Sequence, residues 1–244
     1  MSRLVVVTGA SRGIGRAVAA RFAALGDDVV ALGRDEEALG RLGDGVRPVV
    51  CDVTDEDAVA GAFALTGEVD VLVNNAGVAE SAPLARTTLA SWERQMAVNA
   101  TGAFLCTRAA IVPMRERGSG AIITVASTAG RVGAPYTAAY TASKHAAVGL
   151  MRAAAAELAG TGVTANAVCP AFVDTDLTRA AAARIAERTG RSARESEAAL
   201  AGASPLGRLL DPDEVAAAVE WLASPAAAAI SGQTLILDGG GIQT

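Results

Sequence analysis

The chain has 244 residues, 51% of them hydrophobic and 3% aromatic, with a formal net charge of −5. This length suits one large α/β domain, and the acidic balance argues against a nucleic-acid binder, because such proteins usually carry a basic surplus. Three widely spaced cysteines and one histidine argue against a metal site, and the odd cysteine count fits a reducing compartment. With no signal peptide and no long apolar run, we expect a cytoplasmic protein without a membrane span.

Strand-like and helix-like segments alternate along the chain, and the strand-like segments are continuous apolar runs, as expected where helices cover both faces of a sheet. The predicted strands are residues 4–8, 28–32, 48–51, 69–73, 121–126, 163–168 and 234–237. The predicted helices are residues 13–25, a short helix from Asp35, 54–65 with Thr54 as its cap, 88–117, 136–159 and 211–222. This alternation predicts one Rossmann-type α/β domain over residues 1–244, a doubly wound sheet of about seven parallel strands with helices on both faces.

Residues 174–204 depart from this alternation, because they are helical by propensity but polar and rich in alanine and arginine. We interpret this segment as an excursion from the core that forms a mobile lid over the substrate. An ordinary surface insertion is the alternative interpretation.

A glycine-rich turn, TGASRGIG over residues 8–15, joins the first predicted strand to the first helix. Glycines let the backbone turn tightly and approach a pyrophosphate, while the N–H groups of the helix N-terminus bind the anion. Such glycines can also simply close a strand-to-helix connection. The position of the turn in the first βαβ unit favours the dinucleotide-binding interpretation.

Further motifs follow this turn in order: NNAG at 74–77, Asn99, Ser127 and YTASK at 140–144. Together they resemble the cofactor fingerprint and the Ser and YxxxK signature of classical short-chain dehydrogenases/reductases, in particular 3-oxoacyl-(acyl-carrier-protein) reductases and polyketide ketoreductases. The resemblance extends through the DGG at 238–240. It implies a nicotinamide-dependent oxidoreductase with four catalytic residues, Asn99, Ser127, Tyr140 and Lys144.

The predicted catalytic chemistry is acid–base chemistry at Tyr140. An ordinary tyrosine has a pKa of about 10, and we expect Lys144, four residues on along one helix face, to lower it together with the oxidised nicotinamide. Ser127 ends the fifth predicted strand and can bond the substrate oxygen, and the resemblance implies that Asn99 holds a water in a proton relay. Tyr136 lacks a lysine four residues on, and His145 points about 100° round the helix from Lys144, so we expect neither to be catalytic.

The resemblance also implies a set of cofactor contacts spread along the chain. They are Gly9, Ser11, Arg12, Gly13, Ile14, Gly15, Arg34, Asp52, Val53, Asn74, Ala76, Gly77, Tyr140, Lys144, Pro170, Val173 and Thr175. Residues 170–175 resemble the family's PGxxxT segment, but Ala171 replaces the usual glycine, which puts a glycine-only backbone conformation there in question.

The end of the second strand selects between the two nicotinamide cofactors. The acid that binds the NAD ribose would fall at Gly33, which has no side chain, and Arg34 follows it. Arg12 can approach the same 2′-phosphate, and two guanidinium groups suit a phosphate dianion. The sequence therefore favours NADP(H) over NAD(H). The alternatives are that Arg34 is a solvated charge paired with Asp35 and that Asp52 merely caps a helix.

The substrate is the least determined part of the prediction. We favour reduction of a 3-oxoacyl thioester or polyketide-type ketone. The alternatives are an NAD(P)-dependent secondary-alcohol or 3-hydroxyacyl dehydrogenase working in the oxidative direction, and a non-catalytic cofactor-sensing protein on the same fold. By the same resemblance we expect a homotetramer whose partners are small-molecule or acyl-thioester substrates, with no nucleic acid, membrane or metal.

Overall fold

The computed structural model describes residues 2–243. Its seven strands are all parallel: β1 (Leu4–Thr8), β2 (Asp28–Gly33), β3 (Val46–Val50), β4 (Val71–Asn74), β5 (Gly120–Val125), β6 (Val163–Pro170) and β7 (Thr234–Leu237). They form one sheet in the order β3-β2-β1-β4-β5-β6-β7, which confirms the predicted doubly wound α/β domain. The direction of strand addition reverses between β1 and β4, and ligands of such sheets bind in the crevice at this point, outside the carboxyl ends of the strands.

Helices cover both faces of the sheet. They are α1 (Gly13–Ala24), α2 (Glu36–Gly40), α3 (Glu56–Thr66), α4 (Leu89–Met96), α5 (Gly102–Arg117), α6 (Ala138–Glu157), α7 (Asp176–Thr189), α8 (Ala193–Ala201) and α9 (Pro212–Leu222). Successive strand residues point to opposite faces, so Val6 packs in the core under α3, α5 and α6, whereas Val5 and Val7 pack under α1 and α9. Within residues 2–243 no helix has the length and apolarity needed to cross a membrane.

The helix predicted over residues 88–117 forms as a continuous helical run in three parts. Between α4 and α5 the backbone passes through a π-helical segment, Ala97–Thr101, which contains Asn99. Such wide turns occur frequently at functional sites. The run ends where Gly118 adopts a left-handed conformation.

Three predicted boundaries were wrong. Thr54 does not cap α3, because the Asp55 side chain accepts the hydrogen bond from the Ala58 N–H. The helix predicted from residue 136 begins at Ala138, because Tyr136 has a φ of 67° and leaves the helical conformation. Ser127 lies two residues beyond the end of β5 rather than at its end.

The excursion at residues 174–204 contains α7 and α8. An isolated parallel bridge between Val173 and Leu210 joins its two ends. The Asp174 N–H donates to the Leu210 carbonyl at 2.8 Å, and the Leu210 N–H donates to the Phe172 carbonyl at 2.9 Å. The two helices therefore enter and leave the domain at one point beside β6.

Candidate active site

A cleft of about 560 Å³ lies at the carboxyl ends of the strands. Fifteen of the seventeen predicted cofactor residues line it; the other two are Gly15 and Asn74. Three of the four predicted catalytic residues line the same cleft, Ser127, Tyr140 and Lys144. The fold therefore brings the glycine turn and the Ser–Tyr–Lys group to one site.

The glycine turn is shaped by close backbone approaches. Gly9 has a φ of 63°, and a Cβ there would lie 2.8 Å from the Cα of Ala76. A Cβ on Gly15 would lie 2.4 Å from the Gly9 carbonyl oxygen, so Gly15 is a packing requirement behind the cleft wall and not the cofactor contact predicted for it. Arg12 precedes α1 without a side-chain hydrogen bond to the helix, and the N–H groups of the first turn remain available to a phosphate.

Thr8 and Asn75 hold this turn against the end of β4. The Thr8 hydroxyl accepts hydrogen bonds from the backbone N–H of Asn75 at 2.9 Å and of Ala76 at 3.0 Å. The Asn75 carboxamide donates to the carbonyl oxygens of Thr8 at 2.9 Å and Gly9 at 3.1 Å. Sequence reasoning assigned no role to either residue, although the signal was there: polar residues end two strands that the predicted topology places side by side.

The structure corrects the prediction that Asn74 contacts the cofactor. Neighbouring residues at a strand end point to opposite sides, and Asn75 lines the cleft while Asn74 points into the protein. The Asn74 Nδ2 donates to the Thr107 hydroxyl at 2.9 Å. Its Oδ1 is buried without a hydrogen-bond partner among residues 2–243.

The end of the cleft beside β2 carries two exposed arginines, Arg12 and Arg34. Arg34 does not pair with Asp35, because Asp35 instead caps α2. The Nη1 of Arg34 lies 3.7 Å from Asp52 Oδ2. Asp52 does not cap a helix either, because it accepts hydrogen bonds from the N–H and hydroxyl of Thr54, and these bonds lower its pKa. The long, exposed Arg34–Asp52 pair contributes little stability, which leaves the guanidinium available to a phosphate.

The catalytic group is assembled from β5 and α6. The Ser127 hydroxyl accepts from the Ala129 N–H at 3.1 Å, and its interaction with the Tyr140 phenol acts to lower the pKa of Tyr140. Lys144 lies one helical turn beyond Tyr140, with its Nζ 5.9 Å from the centre of the tyrosine ring. The lysine ammonium donates to the Val125 carbonyl oxygen at 3.0 Å, so backbone from the end of β5 fixes its position.

Burial dominates the electrostatics of the free protein, and the expectation that Lys144 and the oxidised nicotinamide together lower the pKa of Tyr140 stays a prediction. Burial raises the pKa of Tyr140, and the hydrogen bond with Ser127 offsets only part of this effect. Burial also lowers the pKa of Lys144 to about 8. Burial therefore disfavours both the phenolate of Tyr140 and the ammonium of Lys144 in the free protein. At neutral pH Tyr140 is a protonated phenol, ready to donate.

Asn99 lies behind the cleft and does not line it. Its Nδ2 donates to the Val78 carbonyl oxygen and to the Ser143 hydroxyl, each at 2.9 Å, and its Oδ1 accepts from the Val78 N–H at 2.8 Å. Both amide hydrogens are thus committed to protein acceptors. The residue joins the segment after β4 to α6, next to Lys144, and a role in holding water stays a prediction.

Thr175 and Ala171 complete the nicotinamide end of the cleft. A Cβ on Gly13 would lie 3.1 Å from Thr175 Cγ2, so this threonine faces the glycine turn. Tyr136 is the only non-glycine residue between 2 and 243 with a positive φ. Ala171 therefore needs no glycine-only conformation, and its replacement of glycine is harmless to the backbone.

Neither of the residues set aside from catalysis lines the cleft. Tyr136 is 64% exposed. His145 is also exposed, and its Nδ1 lies 2.9 Å from the Thr141 carbonyl oxygen, one turn back along the helix.

A glycine turn of the phosphate-binding type, sharing one cleft with a half-buried tyrosine and a buried lysine, defines a nicotinamide-dependent oxidoreductase of the Rossmann type. A family model described as enoyl-(acyl carrier protein) reductase matches residues 9–241. The chain belongs to the short-chain dehydrogenase/reductase family. Its relatives in this family act on alcohol and ketone groups.

Comparison with known proteins gives relatives of nearly equal length. The chain is 41% identical over 249 residues to cis-4-hydroxycyclohexanecarboxylate dehydrogenase of Sinomonas cyclohexanicum, covering 98% of this chain and 96% of the relative. It is 37% identical to the 3-oxoacyl-(acyl-carrier-protein) reductase of Vibrio cholerae, covering 98% and 96%. A crystal structure of an actinorhodin polyketide ketoreductase variant with NADPH matches with a TM-score of 0.93 and 36% identity, covering 98% of this chain and 97% of that one.

Proposed function

We propose that this protein is an NADP(H)-dependent ketoreductase acting on a 3-oxoacyl thioester or polyketide-type ketone. The observation that carries the proposal is that Ser127, Tyr140 and Lys144 line the same cleft as the glycine turn. The relatives named as 3-oxoacyl and polyketide ketoreductases support this substrate class.

The side chains of the cleft divide the proton chemistry between them. When bound, the reduced nicotinamide supplies the hydride. The hydroxyls of Tyr140 and Ser127 bind the ketone oxygen, and Tyr140 donates its proton to that oxygen as negative charge develops there. Lys144 then stabilises the phenolate that remains. Asn99 would act as a positioning residue, because its hydrogen bonds join the segment around Val78 to α6 beside Lys144.

Preference for NADP(H) over NAD(H) belongs to the same proposal. Gly33 offers no carboxylate to the ribose, and both Arg12 and Arg34 line the cleft at this end. A phosphate dianion between two guanidinium groups makes charge-assisted, bidentate contacts that a ribose hydroxyl cannot make. The NADPH bound in the related polyketide ketoreductase is consistent with this assignment.

We propose that residues 174–204 form the substrate lid. Leu177, Ala181 and Arg184 recur on one face of α7, and all three line the cleft. The opposite wall is formed by residues 78–81, 132 and 134. The lid would therefore cover the cleft from the side of α7.

Oxidation of a secondary alcohol is the second candidate function. The relative named as a cis-4-hydroxycyclohexanecarboxylate dehydrogenase favours it. Oxidation needs the phenolate form of Tyr140, whose pKa burial raises, so this direction would be favoured only at alkaline pH.

A homotetrameric, cytoplasmic protein also remains our proposal. Large apolar side chains are exposed along the α4–α5 run, Leu89, Trp92, Phe104 and Val112, and a subunit interface would cover them. All three cysteines are free and buried, which suits a reducing compartment. Sedimentation equilibrium tests the assembly, and a monomer at micromolar concentration would exclude it.

The function is tested by following NADPH oxidation with a panel of ketones. The panel contains a 3-oxoacyl N-acetylcysteamine thioester, 4-oxocyclohexanecarboxylate and its methyl ester, each with NADPH or NADH. We expect turnover with NADPH and its loss in Tyr140→Phe. Tight NADPH binding without turnover of any ketone or of the corresponding alcohols would instead favour a cofactor-sensing protein.

A further inference from the structure

Arg184 is a charged side chain in the cleft for which the reaction chemistry has no use. It lies on the cleft-facing side of α7, one turn beyond Ala181. Its Nη2 donates to the Ala79 carbonyl oxygen at 3.3 Å, and its Nε is buried without a hydrogen-bond partner among residues 2–243. A buried donor of a charged group left without a partner is unfavourable, so this guanidinium is incompletely satisfied by the protein.

The carboxylate beside Arg184 is already occupied. Both oxygens of Glu80 accept from Arg94, at 2.7 and 2.9 Å, and one also accepts from the Ser91 hydroxyl at 2.6 Å. These bonds to Arg94 and Ser91 lower the pKa of Glu80, and Arg184 adds only a weaker attraction through space. Glu80 is therefore neutralised by Arg94, and the positive charge of Arg184 is left over.

The other acid near this end of the cleft is committed elsewhere. Asp176 lines the cleft, but its Oδ1 accepts from Arg179 at 2.8 Å on the exposed side of α7. Among residues 2–243 no carboxylate lies within 4.0 Å of the Arg184 guanidinium. The substrate end of the cleft thus presents one cation to whatever enters it.

We propose that Arg184 is a specificity residue that binds a carboxylate carried by the ketone substrate. The inference rests on the proposed function, because it assigns the two ends of one molecule: the ketone oxygen to Tyr140 and Ser127, and the carboxylate to Arg184. A guanidinium group matches a carboxylate with charge-assisted hydrogen bonds, and the cleft-lining position of Arg184 makes it available to such a ligand. Within the proposed class of ketones, the preferred substrate is then one that also carries a free carboxylate.

The test compares 4-oxocyclohexanecarboxylate with its methyl ester, which differ in the negative charge. We expect the parent enzyme to favour the acid in kcat/KM. In Arg184→Met the acid-to-ester ratio falls by about 10–100-fold, as expected for loss of a charge-assisted hydrogen bond, and the loss lies in KM. Arg184→Lys, which keeps the charge but not the fork, recovers part of the ratio.

Arg188→Met is the matched control. Arg188 lies one turn further along α7, is exposed, and donates to the Ser81 carbonyl oxygen at 3.2 Å without lining the cleft. It clips the same helix to the same segment, so its loss reports any general loosening of α7. We expect its acid-to-ester ratio to stay within about twofold of the parent ratio, since no charge that faces the ligand is removed.

A binding measurement separates this inference from the proposed function. Calorimetry measures cyclohexanecarboxylate binding to the NADPH-loaded protein; we expect binding in the parent and in Arg188→Met, and its loss in Arg184→Met. Equal treatment of acid and ester by the parent, or an unchanged ratio in Arg184→Met, would overturn the inference while leaving the reductase intact. If Arg184→Met lowers kcat/KM only for a 3-oxoacyl coenzyme A, the inference would also be overturned, because Arg184 would then bind a phosphate of coenzyme A. Absence of turnover in the parent contradicts the proposed function alone.

Discussion

Lys144 offers a direct test of how burial tunes the catalytic group. It is the only lysine in the chain, it is 5% exposed, and its pKa is lowered from 10.5 to about 8 by burial. This shift corresponds to about 3 kcal/mol by which folding disfavours the charged amine. The folded protein therefore carries a substantial electrostatic penalty at the residue it needs for catalysis.

The sign of the pH dependence follows from the two pKa values. The unfolded chain keeps the lysine proton up to about pH 10.5, whereas the folded protein releases it near pH 8. Between these values unfolding takes up a proton, so the contribution of this group to the free energy of unfolding rises with pH by up to about 1.4 kcal/mol per unit. Below about pH 8 the buried amine is charged, and it lowers the free energy of unfolding by its full amount.

Lys144→Met keeps the unbranched stem and removes the titrating amine. At neutral pH the variant escapes a penalty of about 3 kcal/mol and loses about 1 kcal/mol for the hydrogen bond to Val125. We expect it to be more stable than the parent by about 2 kcal/mol there. At a pH above 10.5 the parent amine is neutral, and the order reverses. Urea unfolding of both proteins across this range measures the crossing, and other titrating groups cancel in the difference.

A spectroscopic measurement gives the pKa itself. Because the chain has one lysine, protein labelled with ¹³C-lysine shows a single Cε resonance that needs no assignment. We expect its midpoint near pH 8. A midpoint at or above 10.5, or urea-derived stability curves that run parallel for parent and Lys144→Met, would refute the argument from burial.

Three further predictions concern the acid, the cofactor phosphate and the glycine turn. Tyr140→Phe should lower turnover by about 10²–10⁴-fold, the usual contribution of a proton donor, while NADPH fluorescence titration still shows binding; undiminished turnover would exclude Tyr140 as the acid. Arg34→Asp should lower the NADPH-to-NADH ratio of kcat/KM by about 10–100-fold, and an unchanged ratio would remove this arginine from cofactor selection. Gly15→Ala places a Cβ 2.4 Å from the Gly9 oxygen and should weaken NADPH binding and destabilise the fold by about 1–3 kcal/mol. Gly61→Ala is its control, since that helical site has nothing within 4 Å; equal effects in the two would refute the packing argument.

The parts of the site that could be predicted are those encoded by short spacings along the chain. Tyr140 and Lys144 are four residues apart on one helix, and the glycines of residues 9–15 belong to one turn, so local geometry alone places them. The order of the motifs along alternating strands and helices then fixes which strand ends meet at the cleft. These features need no knowledge of side-chain packing.

The features that could not be predicted depend on which of two neighbours faces inward. Asn74 and Asn75 are adjacent and identical in type, and only the exit angle of β4 puts Asn75 in the cleft wall. The surplus charge of Arg184 depends on Glu80 being occupied by Arg94, a residue distant in sequence from α7. The pKa values are a third case, because the motif predicts a cation beside the phenol but not how far burial discharges that cation.

These pKa values also support reduction as the proposed direction. Near neutral pH the free site holds a buried ammonium at Lys144, about 3 kcal/mol less stable than in water, next to a neutral phenol. When Tyr140 gives its proton to the ketone oxygen, a phenolate forms beside that ammonium, whose Nζ lies 5.9 Å from the centre of the tyrosine ring. Two opposite charges about 6 Å apart attract by about 3 kcal/mol at an effective dielectric constant near 20. The penalty present before the reaction is therefore largely relieved as the proton moves, so the interaction is stronger in the transition state than in the free site. Above the pKa of Lys144, at about 8, both groups are neutral and this gain disappears, so reduction should slow as the pH rises through that value.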